Sequence, residues 1–219
     1  MKRLQAKEKW RALEKDAGVM SIHVENDGSL FCTGLSTGVV SVRSQTTGRL
    51  SFHLTHSKGA FPVTSAKFHP RESGILNSIS SDGSIVQWQL RGQREAWRCV
   101  EEGNELLTID YNPSGNCFAT AGSDAIIRIY DETKKSVTLE LKRSLIAPNS
   151  PFGHSTKIFA LHFDQTQPNL LFSAGWDTCV QIWDIRSNAG VGIFAWDIYL
   201  WGKYRFAPEL CLDRKLSHA

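Results

Sequence analysis

The sequence has no C-x-x-C pair, no G-x-S-x-G elbow, and neither a Walker nor a dinucleotide-binding glycine loop. Its five cysteines (Cys32, Cys99, Cys117, Cys179, Cys211) are odd in number and far apart. Neither a disulfide framework nor a zinc site is expected of them, and a strand cysteine acts as a small buried apolar residue. The missing elbow and glycine loops remove the common hydrolase and nucleotide chemistries. None of the seven histidines pairs at metal-binding spacing on a helix, so no metal or cofactor is expected. No apolar run approaches the roughly 18 residues that span a bilayer. Met1 to Gly18 is polar, unlike a signal peptide, and the expected location is intracellular, cytoplasm or nucleus. A sustained charge of one sign is also missing. The net charge is +3. Six basic residues (Lys2, Arg3, Lys7, Lys9, Arg11, Lys15) and three acidic ones (Glu8, Glu14, Asp16) in the first sixteen account for all of it, and the rest balances at 19 against 19. No basic face is implied for the body of the chain, and nucleic acid is not an expected partner.

What the sequence does have is an internal repeat. Four segments align: Thr33 to Arg43 (TGLSTGVVSVR), Ser78 to Trp88 (SISSDGSIVQW), Thr120 to Tyr130 (TAGSDAIIRIY) and Ser173 to Trp183 (SAGWDTCVQIW). Anchored on Thr37, Asp82, Asp124 and Asp177, they are 45, 42 and 53 residues apart. The first two spacings fit the ~40–45-residue period of four-stranded propeller blades. A loop from Lys142 to Pro151 stretches the third. Each unit reads as four short strands joined by turns. In the second these are Val63 to His69, Ile75 to Ser80, Ile85 to Gln89 and Glu95 to Val100, with Asp82-Gly83 as a tight turn. In the third they are Leu106 to Tyr111, Cys117 to Ala121, Ile126 to Asp131 and Val137 to Leu141. Alternation with Gly, Pro, Asn and Asp at fixed offsets is what a half-buried antiparallel meander requires.

These residues resemble the WD-repeat family over roughly residues 18 to 186. In that family a His, a strand Ser or Thr, the turn Asp and a Trp form a hydrogen-bonded network that locks the blade. The fourth unit matches with His154, Ser173, Asp177 and Trp183, and the second with His56, Ser78, Asp82 and Trp88. The third keeps Thr120 and Asp124, with Asn104 and Tyr130 in the other places. The first keeps Thr33 alone, with Thr37 and Arg43 where Asp and Trp belong. Because the Ser, His and Asp recur blade by blade, they read as structural; catalysis needs one site. The resemblance implies an all-β propeller of four-stranded antiparallel blades at about 18–55, 56–100, 101–142 and 153–190.

Two flanking pieces are expected. Residues 1–17 read as a short basic helix, with Ala6, Trp10, Leu13 and Ala17 in one apolar stripe. Residues 191–219 form a divergent tail whose apolar start, Val191 to Trp201, has no blade period but is able to supply the fourth blade's outer strand. Propellers of the family usually carry about seven blades, and four is the low end of closure. The expectation is a truncated or alternatively terminated form, the rival being closure by four blades or by two chains.

The resemblance implies a non-catalytic scaffold or adaptor with protein partners in a multi-protein complex. Trp176, immediately before Asp177, stands where the other units have Ser36, Ser81 and Ser123. That position opens on the family's top face, so Trp176 is a candidate anchor for a partner, with Lys157 and Phe159 beside it. Trp183-Asp184-Ile185-Arg186, with Ser173, Ala174, Asp177, Val180 and Ile182, resembles the W-D-x-R box of cullin-4 ubiquitin-ligase substrate receptors. The box starts with Phe172 where an aliphatic residue is usual, and its Arg186 would meet the ligase adaptor. A histone or nucleic-acid reader on the top face is the second alternative.

Overall fold

A computed structural model of the chain describes residues 17–56, 61–143, 152–186 and 189–195. The expected N-terminal helix, most of the Lys142–Pro151 loop and the tail beyond residue 195 lie outside the described residues. Within them, four antiparallel sheets of four strands follow one another in sequence order. The first sheet holds β1 (Val19–Val24), β2 (Leu30–Leu35), β3 (Val39–Ser44) and β4 (Leu50–Thr55). The second holds β5 (Val63–Phe68), β6 (Ile75–Ser80), β7 (Ser84–Gln89) and β8 (Arg94–Val100). The third holds β9 (Leu106–Tyr111), β10 (Cys117–Gly122), β11 (Ile127–Asp131) and β12 (Ser136–Leu141). The fourth holds β13 (Ile158–Phe163), β14 (Leu170–Gly175), β15 (Cys179–Asp184) and β16 (Ala189–Ala195). The apolar segment beginning at Val191 thus supplies most of the fourth sheet's outer strand. The four described cysteines all lie in strands. Burial lifts the thiols of Cys32 and Cys117 to about 12.

The registers repeat. Thr33 pairs with Ser41, Ser78 with Val86, Thr120 with Arg128 and Ser173 with Gln181. Each inner pairing slips once at the upper end of the inner strand, and each outer pairing slips once beside the Arg43, Trp88, Tyr130 or Trp183 position. Bulges at matching places give each sheet the same added twist.

A strand's alternating side chains give each sheet two faces. The trailing face points to the preceding sheet and the leading face to the following one. The leading face of the first sheet (Cys32, Val40, Val42, Leu54) packs on the trailing face of the second (Val63, Ala66, Phe68, Leu76, Trp88). The second sheet's Ile79 and Ile85 meet Leu106, Ile109, Tyr111, Phe118 and Tyr130 of the third. The third sheet's Ala119, Ala121, Ile127 and Ile129 meet Ile158, Leu161, Phe163, Leu171 and Trp183 of the fourth. The core is therefore three layers of one design. Inner strands β1, β5, β9 and β13 make the closest contacts between sheets. These are propeller blades, stacked in sequence order.

Candidate interaction surface

Beneath the surface, each of the last three blades is pinned by a buried polar network, and the networks differ. In the fourth, the Trp183 indole N–H donates to Ser173 Oγ (2.8 Å). Ser173 Oγ lies 2.7 Å from His154 Nε2, and His154 Nδ1 lies 2.9 Å from Asp177 Oδ2. One hydrogen ordering satisfies all of them: indole to hydroxyl, hydroxyl to Nε2, Nδ1–H to carboxylate. Asp177 also accepts the Ser155 N–H.

The second blade turns the imidazole round. Trp88 Nε1 donates to Ser78 Oγ (2.8 Å), and Ser78 Oγ reaches His56 Nδ1 (2.6 Å). His56 Nε2 meets Ser84 Oγ (2.7 Å), which donates to Asp82 Oδ1. Asp82 was expected to join the network directly; Ser84 stands between. His56 is 22 residues before Ser78, whereas His154 is 19 before Ser173. The longer connection gives His56 a different ring orientation, and an extra hydroxyl bridges the gap. Burial, and the charge of Arg98 beside it, lower the His56 pKa to about 4, so the ring is neutral.

In the third blade the expected substitute for histidine, Asn104, is not the central group. Glu101 is. It sits 19 residues before Thr120, the offset His154 keeps from Ser173. Its Oε1 accepts from Thr120 Oγ1 (2.6 Å) and Tyr130 OH (2.9 Å). Its Oε2 accepts from Asn104 Nδ2 (2.8 Å) and Arg128 NH1 (2.7 Å). Arg128 also pairs with Asp124 Oδ2 at 2.7 Å. Burial and the Glu101 charge hold the Tyr130 hydroxyl protonated far above the usual range. The spacing was the available signal; residue type drew attention to Asn104. Thr33 of the first blade is buried, and its hydroxyl has no partner among the described residues.

These networks set the turns above them. The residue after the turn position has positive φ in the last three blades: Gly83 (84°), Ala125 (62°) and Thr178 (62°). Glycine carries that conformation at no steric cost. Thr178, β-branched, does not, so the turn holding Trp176 is strained. The Trp176 backbone is fixed by its N–H bond to Lys157 O (2.8 Å). Gly175 is required at this crossing, because a Cβ there would meet His154 Nδ1 at 2.8 Å and Lys157 O at 3.0 Å.

The structure brings Trp176, Phe159 and Lys157 to one end of the fourth blade. Trp176 is 70% exposed, and its ring lies 5.5 Å from that of Phe159, itself 46% exposed. Lys157 Nζ pairs with Glu105 Oε2 (2.8 Å) across the boundary between the third and fourth blades. The result is an aromatic pair held out to solvent, Trp176 from the turn before β15 and Phe159 from β13, flanked by one ion pair. Arg186 is elsewhere, after β15. Its guanidinium forks onto Asp184, Nε to Oδ1 at 3.0 Å and NH2 to Oδ2 at 2.6 Å.

The family profile described as "WD domain, G-beta repeat" matches residues 97–131 and 147–184. Among curated proteins, a Caenorhabditis briggsae "Ribosome biogenesis protein WDR12 homolog" is 29% identical over 58% of this chain and 27% of its own length. The Saccharomyces cerevisiae "U3 small nucleolar RNA-associated protein 15" is 26% identical over 78% of this chain and 31% of its own. The chain thus spans under a third of either relative. A chain in a "Crystal Structure of Mitotic Checkpoint Complex" superposes with a TM-score of 0.70 at 19% identity. That match covers 83% of this chain and 52% of the solved one.

Proposed function

The chain belongs to the WD-repeat family, and from that premise we propose that it is a non-catalytic interaction scaffold whose partner anchors on Trp176 and Phe159. The observation that carries the reading is the exposed aromatic pair formed by Trp176, on the turn whose Asp177 is bonded to buried His154, and Phe159, on β13. Aromatic side chains, with two torsions each, bind at low entropic cost and dominate interface energies. The partner surface this suits is an apolar pocket with a charged rim that engages Lys157 and Glu105. The similarity to proteins named for ribosome biogenesis and nucleolar RNA association supports a role inside multi-protein complexes of the cell. No helix among the described residues is long and apolar enough to cross a membrane.

The test is quantitative co-purification of tagged wild type against Trp176→Ala. Truncating an interface anchor costs about 2 kcal/mol or more, roughly a thirtyfold loss of affinity. The expected result is loss of the specific partner set with the thermal melt unchanged, because the side chain is exposed. An unchanged partner set removes the reading. The ligase-receptor alternative rests on Arg186, whose guanidinium is engaged with Asp184. It requires Arg186→Ala to abolish adaptor co-purification while Trp176→Ala leaves it intact.

A further inference from the structure

One residue before the end of each inner strand, at one register, stands an ionisable side chain: His23 opposite Cys32, Lys67 opposite Asn77, Asp110 opposite Ala119 and His162 opposite Phe172. This is the end of the blades away from Trp176, whose N–H bonds Lys157 O just before β13 begins. Two of these side chains brace the next inner strand. His23 Nδ1 accepts the Phe68 N–H at 3.1 Å, and Asp110 Oδ2 accepts the Phe163 N–H at 2.9 Å. Lys67, between them, has only donors to offer. It turns instead to Asp110, Nζ to Oδ1 at 3.3 Å. A cavity of about 270 Å³ opens there, with His23, Lys67, Arg71, Asp110, Pro113 and Gln165 in its wall.

The charges around this cavity do not cancel. Among the described residues, the charged side chains in its wall are Lys67, Arg71 and Asp110. Asp110 is committed: Oδ1 to Lys67, Oδ2 to the Phe163 N–H, with His162 Nδ1 at 3.4 Å from Oδ2, and its side chain is only 9% exposed. Arg71 is held by its Nε, which donates to Pro113 O at 2.9 Å across the boundary between the second and third blades. Its two terminal nitrogens have no hydrogen-bond partner among the described residues. A guanidinium anchored through Nε presents those two nitrogens as a planar fork. His23 uses Nδ1 as an acceptor, so its neutral ring carries the hydrogen on Nε2. Burial first, and the charge of Lys67 second, lower its pKa to about 4 and keep the ring neutral near pH 7. The wall therefore carries one surplus positive charge, and the charged groups left uncommitted are donors.

We propose that this cavity binds a carboxylate, with the Arg71 guanidinium and the Lys67 ammonium as its donors. A monoanion matches the surplus of one charge. A phosphate dianion exceeds it and meets the Asp110 charge as well. The planar carboxylate also fits the planar fork of Arg71, and a charge-assisted pair of that geometry is among the stronger hydrogen-bonded contacts. The volume lies just under the roughly 300 Å³ at which pockets for drug-sized ligands begin, so it suits the end of a side chain or a chain terminus. The carboxylate of a Glu or Asp side chain and that of a C-terminus share this chemistry. The site is independent of the aromatic pair and puts a second contact on the opposite end of the blades.

The test is an NMR titration of the full chain that reads the His23 ring signals. The probes are the peptide acetyl-Ala-Glu-Ala-amide, its Gln counterpart, acetyl-Ala-Ala-Ala with a free C-terminus, and inorganic phosphate. The expected result is a saturable shift with the Glu peptide or with the free C-terminus, the tighter of the two identifying the source, and none with the Gln peptide. Arg71→Gln is expected to weaken that binding about tenfold or more, the loss of a hydrogen bond to a charged group. Lys142→Gln removes a surface cation paired with Glu140, outside the cavity, and is expected to leave binding unchanged. A cooperative melt qualifies each variant, and Lys67→Gln replaces Arg71→Gln if that one does not fold. The proposal is overturned by no saturable shift with either carboxylate, by an equal response to the Gln peptide, or by phosphate binding more tightly than both. Equal losses from Arg71→Gln and Lys142→Gln overturn it too, because they mark general charge attraction in place of a site.

Discussion

In the third blade a carboxylate stands where the second and fourth have an imidazole, and the two groups respond differently to change. Glu101 gathers four donors, one of them the Arg128 guanidinium. Removing it takes the shared acceptor from Thr120, Tyr130 and Asn104 and leaves Arg128 to Asp124 and Glu140. Breaking such a buried ion pair costs about 3–5 kcal/mol. Glu101→Ala is therefore expected to lower the unfolding free energy by about 3 kcal/mol in urea titration, while Glu105→Ala, at the exposed ion pair above, changes it by under about 1 kcal/mol. His56 adds a pH dependence. Its folded pKa of about 4 lies below the ordinary 6.5. The unfolded chain takes up a proton that the folded chain refuses as the pH falls from about 6.5 to about 4. The network's stability is full above that window and lost through it, by up to about 3 kcal/mol. His23, lowered to about 4 by burial first and Lys67 second, works in the same direction. Urea midpoints measured at pH values across this window are expected to fall as the pH falls, and His56→Gln is expected to flatten the decline.

At the scale of the element, the four turns before β3, β7, β11 and β15 share one left-handed position, and the two non-glycine occupants differ in strain. A left-handed residue with a Cβ costs about 1–2 kcal/mol. Thr178→Gly is expected to raise the melting temperature by several degrees, more than Ala125→Gly, and to loosen the turn that presents Trp176. The measurement is calorimetry with co-purification on the same variants: higher stability with weaker partner capture is the expected pair. The strands of the second and third blades were legible within a residue or so, because period-two alternation and the Asn, Asp, Gly turns are local signals. Glu101 was not, because its role depends on an offset from Thr120 and on Arg128 arriving across the strand from β11. Ser84 bridging His56 to Asp82 was hidden for the same reason. The meeting of Trp176 with Phe159 is legible in part: the sequence singles out both as candidate partner-binding residues of one blade, while their ring contact depends on the bulge near the start of β13.

At the scale of the whole molecule, the repeat fixes the blade design on which the proposed function rests. Repeats of one design build one interface again and again, and the proposed function sits where a blade departs from that design, at Trp176 in place of serine. The interaction reading is tested most directly by placing a photoreactive amino acid at position 176 and, as a control, at Val137, exposed on an outer strand away from the aromatic pair. Irradiation in cells followed by mass spectrometry is predicted to trap a discrete protein other than this chain at position 176 and none at position 137. Equal trapping at the two positions, or none at 176, would contradict the account.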